Sequence, residues 1–137
     1  MIEITDRSKH PDASDRNHAA YGRGVVHYKA TNFYMAAQAF SESLEYWLED
    51  PQAWFALGNC YDEIEKPKKA EACYRKSLEY SPDESIQDVY YNLANGLYDQ
   101  GRYSEAIELY KKILPESSIY KKAQTNLALA ENSVEDN

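Results

Sequence analysis

The chain has 137 residues, of which 43% are hydrophobic and 13% aromatic, with five glycines and five prolines. This composition excludes a disordered polymer and a collagen-like chain, and the length suits one domain or one short array of repeats. Lys and Arg number 15 against 23 Asp and Glu, and the resulting formal net charge of -8 would on average repel a nucleic-acid backbone or an anionic lipid surface.

The N-terminal sequence and the cysteines indicate a cytoplasmic protein. The opening residues, MIEITDRSKH, carry charges where a secretory signal would be apolar, and no segment approaches the roughly 20 apolar residues of a membrane span. Cys60 and Cys73 have neither CxxC spacing nor a histidine placed as in a zinc site. We expect two buried thiols in a reducing compartment, with a disulfide or redox pair as the alternative.

Helical periodicity runs through most of the chain, after a polar start. Residues 1–16, rich in Asp, Ser, Lys and Arg, are predicted to form a mobile tail, with a short partner-binding arm as the alternative. No strands are expected. Helices are predicted at residues 17–30, 33–47, 51–64, 67–80, 86–100, 103–114 and 118–132.

Prolines mark several helix ends. Asp50 provides an N-cap acceptor immediately before Pro51, and Pro67 opens the next helix. The Ser-Pro pair that ends at Pro82 closes that helix. Pro115 comes early within its repeat and predicts that the sixth helix ends about one turn sooner than its counterparts.

The predicted helices form pairs that recur at an offset of 34 residues. The clearest copy is residues 51–84; residues 87–120 form a second copy and residues 17–50 a weaker one. Two extra residues after the clearest copy predict a longer turn before residue 87. Within each copy, positions 4, 7, 8 and 11 form one face of the first helix, and positions 20, 24 and 27 one face of the second.

The residue types at these positions indicate close packing of two helices. Small residues at positions 8 and 20 let the backbones approach, and aromatic residues at positions 4, 11 and 24 fill the space on either side. In the clearest copy the positions hold Trp54, Leu57, Gly58, Tyr61, Ala70, Tyr74 and Ser77. Residues 87–120 place Tyr90, Leu93, Ala94, Leu97, Ala106, Tyr110 and Ile113 there. Residues 17–50 match in kind at Ala20, Gly24, Ala36, Phe40 and Ser43 but depart at Arg23 and His27.

This pattern resembles the tetratricopeptide repeat over residues 17–134. The resemblance implies an all-α fold, a right-handed α-solenoid of helix-turn-helix repeats, with repeats at 17–50, 51–84 and 87–120. Leu127 and Ala128 occupy positions 7 and 8 of a fourth copy that lacks a second helix. Residues 118–133 are therefore predicted to form a C-terminal capping helix.

The resemblance also implies a peptide-binding groove lined by positions 2, 5, 6, 9, 12 and 13 of each first helix. Aromatic residues at position 5 would accept apolar side chains, asparagines at position 9 would both donate to and accept from a peptide backbone, and carboxylates would favour Lys or Arg in the partner. Tightly packed tyrosines and a merely solvated acidic face are the alternatives. The candidate groove residues are Tyr21, Tyr28, Phe55, Asn59, Asp62, Glu63, Asp88, Tyr91, Asn92, Asn95, Tyr98 and Asp99.

One subfamily is excluded by its own motif. Tetratricopeptide-repeat adaptors that clamp the C-terminal carboxylate of heat-shock chaperones carry Lys, Asn and Arg at five groove positions. Here those positions hold Tyr21, Val25, Ala56, Asp88 and Asn92. An acidic peptide tail would meet no basic fork, so this co-chaperone role is not expected.

No sequence motif indicates catalysis. GxGxxG and GxxxxGK[ST] phosphate-binding loops are absent, and the three histidines lack metal-ligand spacing such as HExxH. We therefore predict no enzyme activity, no cofactor and no metal site. The predicted partner is another protein, bound through a basic or apolar peptide segment, without nucleic acid and without membrane insertion.

The predicted function is a protein-interaction module, either a scaffold or a chaperone-like adaptor. Its size, repeat number and aromatic groove also resemble the chaperones that hold translocator proteins for type III secretion. A third possibility is a structural repeat protein that pairs with itself as a homodimer through Ile119, Tyr120 and Leu129.

Overall fold

The computed structural model describes residues 3–81 and 86–135, and within these ranges it contains seven α-helices and no strand. The predicted all-α fold is confirmed. None of the helices in these ranges is long and apolar enough to cross a lipid bilayer. The helices are α1 (Ala13–Lys29), α2 (Phe33–Tyr46), α3 (Pro51–Glu63), α4 (Pro67–Glu79), α5 (Gln87–Asp99), α6 (Tyr103–Tyr110) and α7 (Tyr120–Glu135).

The chain divides into two compact units, residues 1–80 and residues 81–137. In the first unit, α1 packs on α2, α2 on α3, and α3 on α4. In the second unit, α6 packs on both α5 and α7, and α5 also touches α7. The first unit therefore holds the first two predicted repeats, and the second unit holds the third repeat with the C-terminal helix.

Helix α1 begins four residues before the predicted boundary. Ala13 and Asn17 are one helical turn apart and both are buried. The Asn17 side-chain amide donates to the backbone oxygen of Ser43 at 3.0 Å and to its Oγ at 2.9 Å. Because a buried amide needs such partners, this contact with α2 holds the start of α1 in helical form. The last four residues of the predicted tail thus belong to a helix.

The segment before α1 also contacts α2. The backbone N–H of Arg7 donates to the backbone oxygen of Glu45 at 2.5 Å, and the two side chains approach to 3.6 Å. Ile4 packs against the apolar cluster of the first unit. Part of the region predicted as a tail therefore covers this unit.

Helix α6 ends early, as Pro115 predicts, but its last residue is Tyr110 and not residue 114. The N–H groups of Lys112 and Ile113 bond three residues back, to Leu109 and Tyr110, and so form a tighter turn than an α-helix. Pro115 has no N–H with which to continue the helix. Helix α7 begins two residues later than predicted. The longer turn predicted before residue 87, and the closing Pro82, lie outside the described residues.

The starts of α3 and α4 are found at the predicted residues. The Asp50 side chain accepts a hydrogen bond from the backbone N–H of Gln52 at 3.0 Å, and Pro51 is the first residue of α3. Pro67 likewise starts α4. A proline at this position loses no intrahelical hydrogen bond, so both helices begin where the sequence indicates.

In every repeat, position 1 is hydrogen-bonded to a residue at the end of the second helix or after it. Ser77 Oγ donates to the backbone oxygen of Pro51 at 2.8 Å, just as Asn17 bonds to Ser43 in the first repeat. In the third repeat the backbone N–H of Leu114 donates to Gln87 Oε1 at 2.8 Å. These bonds hold the two helices of each pair in register.

In each of the first two repeats, an aromatic ring of the second helix packs against the backbone of a glycine in the first helix. A Cβ atom built on Gly58 would lie 2.6 Å from Cε1 of Tyr74, and one on Gly24 would lie 2.5 Å from Cε1 of Phe40. The aromatic residue at position 24 therefore packs directly on position 8, which explains why these two repeats have glycine there. Trp54, only 5% exposed, donates its indole N–H to the backbone oxygen of Leu48 at 2.7 Å.

Both cysteines are buried free thiols, as predicted. Burial raises the pKa of Cys60 to about 12 and raises the pKa of Cys73 as well. Neither thiol therefore ionises near neutral pH, and both act as small apolar core residues.

The glycine contact gives a test of this packing. Gly58→Ala should lower the free energy of unfolding by about 1–3 kcal/mol, because the added methyl group overlaps the Tyr74 ring. Gly22→Ala is the matched control: Gly22 is exposed in α1 and a methyl group added there would meet nothing within 4 Å, so a gain of about 0.5–1 kcal/mol is expected. Urea unfolding of the two variants measures both, and equal effects would contradict the contact.

Candidate peptide-binding surfaces

The aromatic residue at position 5 is held by the aromatic residue at position 24 in all three repeats. Each position-5 side chain is half-buried. The ring centroids lie 5.2 Å apart in Tyr21–Phe40, 6.0 Å in Phe55–Tyr74 and 6.3 Å in Tyr91–Tyr110. A side chain fixed in this way loses little rotamer freedom when a ligand covers it.

A groove of about 230 Å³ lies between α1 and α3 in the first unit. It contains four of the predicted site residues. The side chains that line this α1–α3 groove are mostly apolar: Tyr21, Val25, Tyr28, Lys29, Phe40, Gln52, Phe55, Ala56 and Asn59. Phe40 was predicted only as a core residue. Its ring, at position 24 of the repeat, also lines the groove.

The tyrosines of this groove are neutral near pH 7. Burial raises the pKa of Tyr21, with a smaller contribution from the charge of Asp50. Burial likewise raises the pKa of Tyr28, with a smaller contribution from Glu63. Tyr28 also packs edge-on against Phe33, with ring centroids 5.2 Å apart. The groove therefore presents uncharged rings in fixed positions.

A second cavity, of about 300 Å³, lies in the second unit. We refer to it as the α5–α7 cavity. Its lining is more polar and contains a carboxylate: Asn95, Tyr98, Asp99, Tyr110, Asn126 and Leu129. The first three were predicted as site residues. Asn126 and Leu129 were missed because groove positions were assigned only within the three full repeats; they occupy positions 6 and 9 of the incomplete fourth copy.

The asparagines at position 9 are already engaged within their own repeats. Tyr74 Oη donates to Asn59 Oδ1 at 2.8 Å and also contacts Asp62 Oδ2. Tyr110 Oη donates to Asn95 Oδ1. The Asn59 and Asn95 side-chain oxygens therefore already accept hydrogen bonds within their own repeats, and the pairing of these amides with a peptide backbone stays a prediction.

The first repeat replaces this polar pair with an apolar one. Position 9 is Val25 and position 24 is Phe40, so neither a hydroxyl donor nor an amide acceptor is present. Because an unpaired hydroxyl or amide in a half-buried site is costly, the two positions have to change together. This explains why the first repeat departs from the other two at position 9.

In the second unit, α7 extends the amide network. Asn126 Nδ2 donates to Asn95 Oδ1 at 3.0 Å and to Tyr91 Oη at 3.2 Å. Asn95 Oδ1 thus accepts two hydrogen bonds, which fills its acceptor capacity. Burial raises the pKa of Tyr110 to about 12, so its hydroxyl keeps its proton and acts as a donor at neutral pH.

The remaining predicted residues line neither cavity. Asp62, Glu63 and Asp88 are exposed, whereas Tyr91 and Asn92 are half-buried. Tyr91 supports Tyr110 by ring contact instead of forming a cavity wall. In the described ranges, no group of three or more His, Cys, Asp or Glu side chains is placed to hold a metal ion.

The helix pairs are hydrogen-bonded at their ends, and in the first two repeats an aromatic ring packs on a glycine. These features define an all-α helical-repeat protein. Residues 51–84 and 88–115 match the family model of the tetratricopeptide repeat, and these two segments are tetratricopeptide repeats. A comparison with curated proteins gives no match.

Solved structures with a similar fold include three bound complexes. The first TPR of Spaghetti (RPAP3), bound to the HSP90 peptide SRMEEVD, is 14% identical with a TM-score of 0.80, over 97% of this chain and 99% of that one. The TPR2B domain of yeast Sti1, in complex with pHsp70, is 15% identical with a TM-score of 0.78, over 85% and 97%. The Yersinia enterocolitica type III secretion chaperone SycD, in complex with a peptide of the translocator YopD, is 15% identical with a TM-score of 0.74, over 88% and 93%.

The tyrosine–asparagine pair can be tested by copying the first repeat into the second. Tyr74→Phe should destabilise the chain by about 0.5–1.5 kcal/mol, because Asn59 loses its hydroxyl donor. Adding Asn59→Val recreates the Phe40–Val25 pair and should cost less than the sum of the two single changes, by about 0.5 kcal/mol or more. Urea unfolding measures the cycle.

Tyr34→Phe is the control, because Tyr34 is 66% exposed and the change should stay within about 0.5 kcal/mol of zero. Additive effects of Tyr74→Phe and Asn59→Val would mean that the hydroxyl and the amide do not depend on each other.

Proposed function

We propose that this chain is a non-catalytic protein-interaction module that binds a peptide segment of a partner protein. The α1–α3 groove is the observation that carries the proposal. Its rings come from two successive first helices, are half-buried, and are held by a second layer of rings before any ligand arrives. Pre-ordered aromatic surface of this kind gives contact area at a low entropic cost.

The three similar structures support the same class of function. Each was solved as a complex, with an HSP90 peptide, with pHsp70 or with a translocator peptide. At identities of 14–15%, these structures share the fold of this chain. Because a shared fold does not determine the partner, the partner's chemistry depends on the residues of this chain.

The groove favours apolar side chains over an acidic tail. Val25 and Ala56 line it at positions where a carboxylate-clamping relative carries polar amides, and Tyr21 stands where such a relative carries Lys. A peptide carboxylate beside these three residues would lose water without gaining a charged hydrogen bond from them, and Lys29 is the one cationic side chain in the described lining. We propose that the ligand is a segment with exposed apolar residues, as a scaffold or a client-holding chaperone would bind. The two buried thiols are in keeping with a cytoplasmic location.

Self-association is the second candidate, but its predicted patch is reduced. Ile119 and Tyr120 are half-buried, and Leu129, which is 50% exposed, also lines the α5–α7 cavity. Leu114, 52% exposed, is a further apolar side chain of this unit. Mass measured across a concentration series distinguishes the two candidates, because a concentration-independent monomer removes the homodimer.

The proposed function is tested by blocking the groove. Ala56→Leu should weaken binding of a short Leu- and Phe-containing fluorescent peptide by about tenfold or more, because the larger side chain fills the groove floor. The matched control is Ala72→Leu, the same change at an exposed position of α4, which should bind as the wild type does. Fluorescence anisotropy gives the affinities, and circular dichroism confirms equal helix content.

A peptide in which Ser and Thr replace Leu and Phe should not bind. If Ala56→Leu and Ala72→Leu bind the apolar peptide equally well, or if the wild type binds neither peptide, the groove is not the binding site.

A further inference from the structure

We propose that the α5–α7 cavity is a subsite for a basic side chain, Lys or Arg, of the bound partner peptide. The proposal rests on the proposed function and assigns a ligand chemistry to the second unit by itself. It stands on the lining of the cavity, the direction of its hydrogen bonds and its place at the end of a helix.

The lining matches both parts of a long basic side chain. Tyr98 and Leu129 offer apolar surface to the methylene stem, and the Asp99 carboxylate offers a counter-charge to the head group. A cation held over the face of the Tyr98 ring would also be attracted to it. A volume of about 300 Å³ is that of roughly ten water molecules, which is enough room for one such side chain.

Hydrogen bonding within the cavity uses up donors and leaves acceptors. The Tyr110 hydroxyl proton goes to Asn95 Oδ1, and Asn126 Nδ2 donates to Asn95 Oδ1 and to Tyr91 Oη. The Asn126 amide oxygen and the Asp99 carboxylate retain acceptor capacity. An ammonium or guanidinium group, which only donates, is the complement of that set.

The cavity also lies at the negative end of a helix. Asn95, Tyr98 and Asp99 belong to the last turns of α5, and the aligned peptide dipoles of a helix place partial negative charge at this end. The last turn of α5 contains no basic residue. Arg102, which follows soon after, is paired with Glu105 at 2.5 Å. In the described part of the chain, no Lys or Arg side chain forms an ion pair with Asp99.

The α1–α3 groove differs from the α5–α7 cavity in charge and polarity. The only charged side chain in its lining is Lys29, which disfavours a second cation, and its position-9 residue in the first repeat is Val25. The two cavities therefore differ in sign of charge and in polarity. The preference for a basic side chain is assigned to the α5–α7 cavity alone.

The test compares two peptides that differ only in charge. One contains Leu, Phe and Lys, and the other replaces each Lys by norleucine, which keeps the stem and removes the ammonium group. The wild type should bind the Lys peptide about fivefold or more tightly, from the ion pair and the cation–π contact together. This preference should shrink as salt is added.

Asp99→Asn should lower the affinity for the Lys peptide toward that for the norleucine peptide and so abolish most of the preference. Glu108→Gln is the matched control, because Glu108 is exposed on α6 and its loss changes the net charge by the same amount. It should retain the preference. Amide chemical shifts of Asn95, Tyr98, Asn126 and Leu129 should move only with the Lys peptide.

Three other outcomes would each contradict the proposed subsite. Equal binding of both peptides by the wild type removes the subsite and leaves the proposed function intact. An equal loss of preference in Asp99→Asn and Glu108→Gln shows general charge attraction without a subsite. Binding of neither peptide contradicts the subsite and the proposed function together.

Discussion

The ring at position 24 is the contact on which the rest of each repeat depends. In the second repeat the Tyr74 ring packs on Gly58 and contacts the Phe55 ring, and the Tyr74 hydroxyl donates a hydrogen bond to Asn59. One side chain thus closes the helix pair, orients a groove aromatic and satisfies a groove amide. Core and ligand surface are therefore not separable here: a change that loosens the helix pair also moves the residues that would meet a peptide.

The same repeat pattern yields two surfaces of different chemistry. Where positions 9 and 24 are Val25 and Phe40, the groove beside them is apolar. Where they are Asn95 and Tyr110, the cavity is polar and carries the Asp99 carboxylate. Because a hydroxyl and an amide each need a partner in a half-buried site, the two positions switch as a pair. A repeat protein can in this way vary its ligand surface without altering its helix packing.

The C-terminal helix does more than cover the end of the third repeat. Asn126 completes the hydrogen bonds of Asn95, and Leu129 forms an apolar wall of the α5–α7 cavity. The incomplete fourth copy therefore contributes the residues that a first helix would contribute, at the positions that a first helix would use. Leu129, at position 9 of this copy, is 50% exposed.

The sequence alone determined the number and pairing of the helices, the N-cap at Asp50, the start of α4 at Pro67, and the requirement for glycine at residue 58. These features follow from spacing along one helix and from the chemistry of adjacent residues, both of which are written in the chain. It also identified seven of the residues that line the two cavities, because groove positions recur with the repeat.

Tertiary structure decided the start of α1, the engagement of the asparagine oxygens and the role of Asn126. Each depends on a partner far along the chain: Ser43 for Asn17, Tyr110 for Asn95, and both Asn95 and Tyr91 for Asn126. Periodicity shows which face of a helix a side chain occupies. It does not show which donor or acceptor on a neighbouring helix reaches that side chain, because this is set by how closely and at what register the helices pack.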